Sequence, residues 1–295
     1  MSDLAATLRV LEPYPGIFTY YDGRIDGKRL HSEGPNWLDD GAFSLGTASY
    51  AIVDGAEALV YDTHMSLDHA RAIRAHLTGR GVTQIRVVLS HWHNDHVAGN
   101  AVFADCEIIA LRLTADLLQS HRDELATQPP AISPLVMPNR LFEHELHLTV
   151  GQRQVELHHF QIHSADGNVM WLPDQHILLA GDTVEDTVTY ICEPEEAGRH
   201  LRELDRLGHW PIDRILPNHG DLDRIAAGGY DQSLIGATKA YLRRLLDVRG
   251  TGEELLSLRE FVAPELASGA IIYFAPYEVV HAQNMSLLRA ATLKE

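Results

Sequence analysis

The sequence predicts an α/β protein, arranged as a four-layer α/β/β/α sandwich. Three observations carry that prediction. Strands followed by helices occur in two successive rounds, which suits a pair of sheets covered by helices. The chain has 295 residues and is 45% hydrophobic, enough for one large domain or two modest ones with a sizeable core. Side chains able to bind metal recur at the ends of apolar runs that read as buried strands.

Each element follows from local pattern. Residues 1–45 read as an N-terminal extension and loops, mixed in character, because Pro13, Pro15, Gly16, Gly23, Gly27, Gly34 and Pro35 break any long element. Residues 46–250 read as the main αββα domain. It opens with a β-hairpin at 48–61, turning at Asp54-Gly55 and ending in Asp62-Thr63-His64. Leu67 to Leu77 has helical spacing, stopped by Gly79 and Gly81. Residues 85–89 and 107–110 read as strands and Leu113 to Leu125 as a helix. Pro129, Pro130, Pro134 and Pro138 mark a long irregular stretch, a lid or a surface wrap. The second round has strands near 145–150, 154–162, 168–172 and 176–180, a helix at 197–208, a short strand at 212–216 and a helix at 233–248. Residues 251–295 read as a helical tail packed on the domain, with two helices around the apolar Ala270–Phe274.

The densest motif is His91-Trp92-His93-Asn94-Asp95-His96, directly behind the apolar run 85–89. Four donors within six residues can serve two adjacent metal sites from one loop. His163 follows 67 residues after His96, Asp182 a further 19 on, and His219 another 37 on. Each ends or follows a predicted strand, a rigid place from which to project a ligand. Neutral imidazole and carboxylate suit zinc, and a catalytic zinc keeps one position open for water. A carboxylate such as Asp182 can bridge two ions and balance their charge.

These residues resemble the metallo-β-lactamase fold hydrolases over roughly 45–250. The resemblance implies that His91, His93 and His163 hold one metal. It implies that Asp95, His96 and His219 hold the second, with Asp182 bridging. Asp62 would orient ligands rather than bind metal. Asp95 and Asp182 are the implied catalytic acids, Asp95 orienting the nucleophile and relaying a proton. The implied activity is that of a dinuclear zinc hydrolase, attacking the carbonyl of a small ester, lactone, thioester or lactam with a metal-bound hydroxide. Iron or manganese could replace the two zinc ions.

The stretch His163-Ser164-Ala165-Asp166-Gly167-Asn168 with Trp171-Leu172-Pro173 is similar to true β-lactamases. The subclass carrying it has Cys at the position of Asp182, with a substrate-gripping Lys three residues on. Here Glu185 and Asp186 stand in that region, acids that would repel an anionic substrate. The pattern therefore resembles lactonases, thioesterases and glyoxalase II-like esterases more closely than a β-lactamase proper. A mononuclear iron enzyme of the persulfide dioxygenase type shares the ligand positions. A non-catalytic metal-binding domain is the reading from another class, and the complete donor set weighs against it.

Charge and composition set the remaining expectations. Lys and Arg total 24 against 41 Asp and Glu, a net charge of -17, which repels nucleic acid and anionic membranes. Two Cys, Cys106 and Cys192, make no disulfide framework. No signal peptide and no apolar run of membrane-spanning length is evident, so a cytoplasmic protein acting on a small molecule is expected, with a homodimer possible through the tail. His64 and His281 read chiefly as packed side chains. Glu185, Asp186, Thr187 and Tyr190 read as cleft-rim candidates. Trp37, Tyr20 and Tyr21 read equally as substrate walls or core.

Overall fold

A computed structural model of the chain describes residues 3–251 and 256–294. Met1 and Ser2 of the expected N-terminal extension, and 252–255 and 295 of the expected tail, lie outside the described residues. The chain divides into two compact units, 1–159 with 170–175, and 160–169 with 176–295.

The first unit is built on a seven-stranded sheet in the order β1-β2-β3-β4-β5-β6-β7. The strands are β1 (Arg9–Tyr14), β2 (Ile17–Asp22), β3 (Thr47–Asp54), β4 (Glu57–Tyr61), β5 (Gln84–Val88), β6 (Glu107–Leu111) and β7 (Arg140–Phe142). Neighbours from β1 to β4 run antiparallel and those from β4 to β7 parallel. Helix α1 (Leu67–Gly79) makes the crossover that a parallel β4–β5 pair requires. The Ser66 side chain caps it by accepting from His69 N, and Ala70, Ile73 and Leu77 fall on one face. That face packs with Phe18, Tyr20, Ala51, Ala58, Val60 and Val87 in one core. Burial of Ile73 and Leu77 contributes about 1.5–3 kcal/mol each.

The short α2 (Asn94–Val97) follows β5, and α3 (Arg112–Ser120) and α4 (Arg122–Leu125) follow β6. An antiparallel hairpin, β8 (Glu145–Val150) and β9 (Arg153–His159), and strand β10 (Asn168–Leu172) come next. In the second unit β11 (Ile177–Gly181) pairs in parallel with β12 (Arg214–Pro217). In the second sheet β12 lies beside β11, and β9 beside β8. Helices α5 (Ala197–Leu207), α6 (Leu222–Ala226), α7 (Ser233–Val248), α8 (Leu258–Phe261), α9 (Ala263–Ser268) and α10 (Tyr277–Ala290) complete the second unit. There α5 packs on α7, and α10 packs on α7 and α8.

Three expectations need correction. The N-terminal 45 residues are not only loops, because β1 and β2 are the first two strands of the large sheet. Pro15 and Gly16 form the turn between them, and the aromatic and β-branched Ile17-Phe18-Thr19-Tyr20-Tyr21 makes a fully buried strand. The helix expected at 113–125 breaks at His121, where the backbone leaves helical geometry and α4 restarts. The strand expected at 154–162 stops at His159, since Phe160 N already bonds to Gly167 O in a tight loop. The proline-rich stretch lies anchored, with Ile132 and Leu135 buried in the core of the first unit.

Candidate metal centre

In the first unit the donors sit on a loop held from behind. Strands β4 and β5 pair with Tyr61 opposite Val88, so Asp62 lies beside the chain leaving β5. Asp62 is fully buried, with φ +68. Its Oδ1 accepts from Ser90 N at 2.6 Å, and its Oδ2 accepts from Ser90 Oγ at 2.6 Å. The same Oδ2 lies 3.0 Å from His96 Nδ1. A carboxylate there holds the His96 proton on Nδ1 and leaves Nε2 as a donor atom. That Nε2 is 3.4 Å from Asp95 Oδ1. His91 Nδ1 is 2.9 Å from Ser90 Oγ, and its Nε2 is 2.9 Å from His93 Nδ1.

The turn that carries these residues depends on close backbone approach. His93 stands just before α2 in extended conformation, and Asp95 and His96 fall within the single turn of that helix. Thr63 N donates to His96 O at 2.8 Å, and Thr63 Oγ1 donates to Asn100 Oδ1 at 2.8 Å. A Cβ at Gly99 would stand 2.2 Å from Thr63 O and 2.4 Å from Ala70 Cβ, so only glycine fits.

In the second unit the donors come from three places. Asn218 N donates to Gly181 O at 2.9 Å, tying the ends of β11 and β12 together. Gly181 has φ +57, which turns the chain to present Asp182. His219 Nε2 lies 3.4 Å from Asp182 Oδ2, and His163 Nε2 lies 3.6 Å from the same oxygen. His163 has φ +67, and its Nδ1 is 2.9 Å from Tyr190 O. A carbonyl can only accept, so Nδ1 carries the proton and Nε2 is the donor atom.

Glu185 stands behind this group. Its Oε1 is 3.6 Å from His163 Nδ1 and accepts from Tyr190 N at 3.1 Å. Burial, then the Asp182 charge, push the Glu185 carboxyl up to about 8. Cys192 Sγ is 3.8 Å from His163 Nε2, and burial among carboxylates pushes its thiol well up. The donors of both units, His219 among them, belong to His/Asp groups able to bind metal. Within the first unit His91 lies with His93 and Asp95 with His96, and within the second His163 lies with Asp182.

A model of the metallo-beta-lactamase superfamily matches residues 44–258, most of the chain. The chain belongs to that superfamily. Among curated proteins it is 24% identical over 183 residues to "Beta-lactamase-like protein 2 homolog" of Caenorhabditis elegans, covering 61% of this chain and 58% of that one. It is 25% identical over 169 residues to "Lactamase-like protein notP" of Aspergillus sp. (strain MF297-2), covering 55% and 46%. It is 44% identical over 57 residues to "Atrochrysone carboxyl ACP thioesterase" of Passalora fulva, covering 19% and 17%. The matches thus span about half or less of those relatives' own lengths. Among solved structures, the DIM-1 metallo-beta-lactamase exposed to ceftazidime aligns with TM-score 0.61 at 21% identity, covering 81% of this chain and 97% of that one. The metallo-beta-lactamase from Pontibacter korlensis aligns with TM-score 0.62 at 19% identity, covering 80% and 99%. These likenesses show the fold, the α/β class with two sheets and flanking helices expected from the sequence.

Within this superfamily member, the other side chains singled out in the sequence fall partly against expectation and partly with it. Asp186 is no cleft-rim acid. It is fully buried, accepting from Tyr230 OH at 2.6 Å and Ile272 N at 2.8 Å. Glu185 and Thr187 are likewise buried. Tyr20 and Tyr21 are core residues, while Trp37 is exposed. His64 is buried and stacks on His69 with ring centroids 4.3 Å apart. His281 is a packed helix residue, 3.0 Å from Tyr241 OH. Sequence reading passed over Tyr277 and Asn284, which carried no signal beyond their place on a helix. No described helix is long and apolar enough to cross a membrane.

Proposed function

We propose that the chain is a dinuclear zinc hydrolase acting at the carbonyl of a small ester, lactone, thioester or lactam. The observation that carries this reading is the donor chemistry. Every predicted ligand is an imidazole or a carboxylate, and three of the imidazoles have an outer partner on Nδ1 that turns Nε2 toward the proposed metal. Asp62 does this for His96, Ser90 for His91 and the Tyr190 carbonyl for His163. That set fits zinc, with iron or manganese as the competing ions. In this reading His91, His93 and His163 hold one ion. Asp95, His96 and His219 hold the other, and Asp182 serves both.

When bound, such a metal pair lowers the pKa of water and polarises a carbonyl. The protein's own part is orientation and proton handling. Asp95 is the carboxylate placed to take a proton from the attacking water and return it to the leaving atom. Asp62 and Glu185 lie behind the ligands and keep them from rotating. Members of the superfamily are metal-dependent hydrolases. The short match to a protein named as a thioesterase supports giving thioesters a place beside lactones in the substrate panel.

The test is metal analysis followed by a panel of esters, lactones, thioesters and β-lactams with zinc-loaded protein. Two zinc ions per chain with turnover of at least one carbonyl substrate is the expected result. An iron-dominated preparation that consumes oxygen would sink the reading. So would loaded protein inert across the whole panel.

A further inference from the structure

The structure shows what holds the Tyr190 carbonyl against His163, and that support comes from the C-terminal helix. The segment Glu185–Ile191 leaves β11 just after Asp182 and returns to His163, with Cys192 N donating to His163 O at 3.1 Å. The peptide joining Tyr190 to Ile191 has two polar ends. Its carbonyl faces His163 Nδ1 at 2.9 Å. Its N–H, on Ile191, donates to Asn284 Oδ1 at 2.9 Å. Asn284 also donates from Nδ2 to Thr189 O at 2.9 Å and to Tyr241 OH at 3.2 Å, so its amide cannot turn without losing bonds on both sides. Two turns earlier on the same helix, Tyr277 OH donates to Glu185 Oε2 at 3.1 Å, and Glu185 Oε1 accepts from Tyr190 N. Asn284 thereby holds both peptide planes flanking Tyr190 directly, and Tyr277 adds a second hold on the Thr189–Tyr190 plane through Glu185. Tyr277 and Asn284 are fully buried.

We propose that Asn284 and Tyr277 are positioning residues for His163, setting the direction of its Nε2 through the Glu185–Ile191 segment. This rests on the metal-binding reading of the site. A peptide plane free to tilt would let the imidazole swing, and outer partners of metal-bound histidines typically matter on the order of 10- to 100-fold in metal affinity. The family model ends at residue 258, before α10 begins, so these two side chains lie beyond the matched region.

The experiment is zinc affinity by chelator competition, with thermal stability measured alongside, on the full chain. The variants are Asn284→Ala, Tyr277→Phe, Leu288→Ala and Val279→Ala. Leu288 is buried on α10 and Val279 is 62% exposed on the same helix. None of the bonds described above involves either residue. Asn284→Ala should weaken one of two zinc ions on the order of 10- to 100-fold. Tyr277→Phe should weaken the same ion by a smaller factor. Leu288→Ala should lower stability with both affinities unchanged, and Val279→Ala should change neither. If Asn284→Ala fails to fold, Tyr277→Phe decides. Unchanged affinities in both site-facing variants overturn the proposal while leaving the hydrolase reading intact. An equal loss in Leu288→Ala also overturns it, since general loosening would then explain the effect. Wild-type protein that binds no zinc overturns both.

Discussion

The two donor groups are built by opposite means. In the first unit four donors occupy six consecutive residues, and their support is equally close. Asp62, Thr63 and Ser90 lie at the ends of two adjacent parallel strands, and Gly99 lets the backbone press against Thr63. In the second unit His163, Asp182 and His219 come from three separate strand ends and loops. Their support comes from still farther away, through 185–191 to a helix at 277–290. The difference teaches that one donor group can be local in sequence, support included, while the frame around another is not.

The largest effect should come from the residue shared by both ions in the proposed site. Asp182→Ala should remove most hydrolysis and lower the bound zinc by about one ion per chain. Metal analysis beside kcat measures both, and full activity with two ions retained would end the bridging role. Next comes the frame of the first unit. Asp62→Ala strips the partners of Ser90 and His96 without touching a ligand. Zinc affinity should fall on the order of 10- to 100-fold. Asp62→Asn, which keeps acceptor capacity toward Ser90, should lose less. Equal affinities in all three proteins would mean the loop holds its shape unaided.

Much of this asymmetry was legible in the sequence. The His91–His96 motif needed only its spacing and the apolar strand before it. His163, Asp182 and His219 were readable because each follows a buried strand or its turn, where direction is constrained. The role proposed for Asp62 came from the family resemblance, since its place at a strand end marks no more than a cap. What stayed hidden has a common cause. Glu185 and Asp186 looked like cleft-rim acids because charge is usually exposed. Their burial depends on Tyr230, Ile272 and Tyr277, contacts 44 to 92 residues away. Likewise β1 and β2 were obscured by the prolines and glycines around them, which mark the turns and not the strands. No local pattern encodes the burial of the two acids, whereas the aromatic and β-branched run 17–21 does carry a signal for β2.

Glu185 sharpens the contrast through pH. In the folded chain its carboxyl keeps its proton up to about 8, whereas the ordinary value is 4.5. Between those values the unfolded state binds fewer protons than the folded one, so stability falls as pH rises through that window. Glu185→Gln cannot ionise. In metal-free protein its thermal stability relative to wild type should therefore rise from pH 5 to pH 8 and level off above. A difference that stays constant with pH would show that the carboxyl titrates normally.

The smallest effect on the metal centre is expected one link beyond the proposed clamp. His281 lies on α10 with Nδ1 3.0 Å from Tyr241 OH and Nε2 3.2 Å from Leu256 O. Tyr241 in turn accepts from Asn284, so His281 reaches the Tyr190 peptide only through two intermediaries. His281→Ala leaves the buried Tyr241 hydroxyl short of a partner, at a cost of about 1–3 kcal/mol. Asn284 keeps its bonds to Ile191 and Thr189, which are the ones that fix the peptide plane. Stability should drop while both zinc affinities and kcat stay at wild-type values. A loss of zinc affinity in His281→Ala matching that in Asn284→Ala would extend the frame of the second unit along the whole polar chain of the helix.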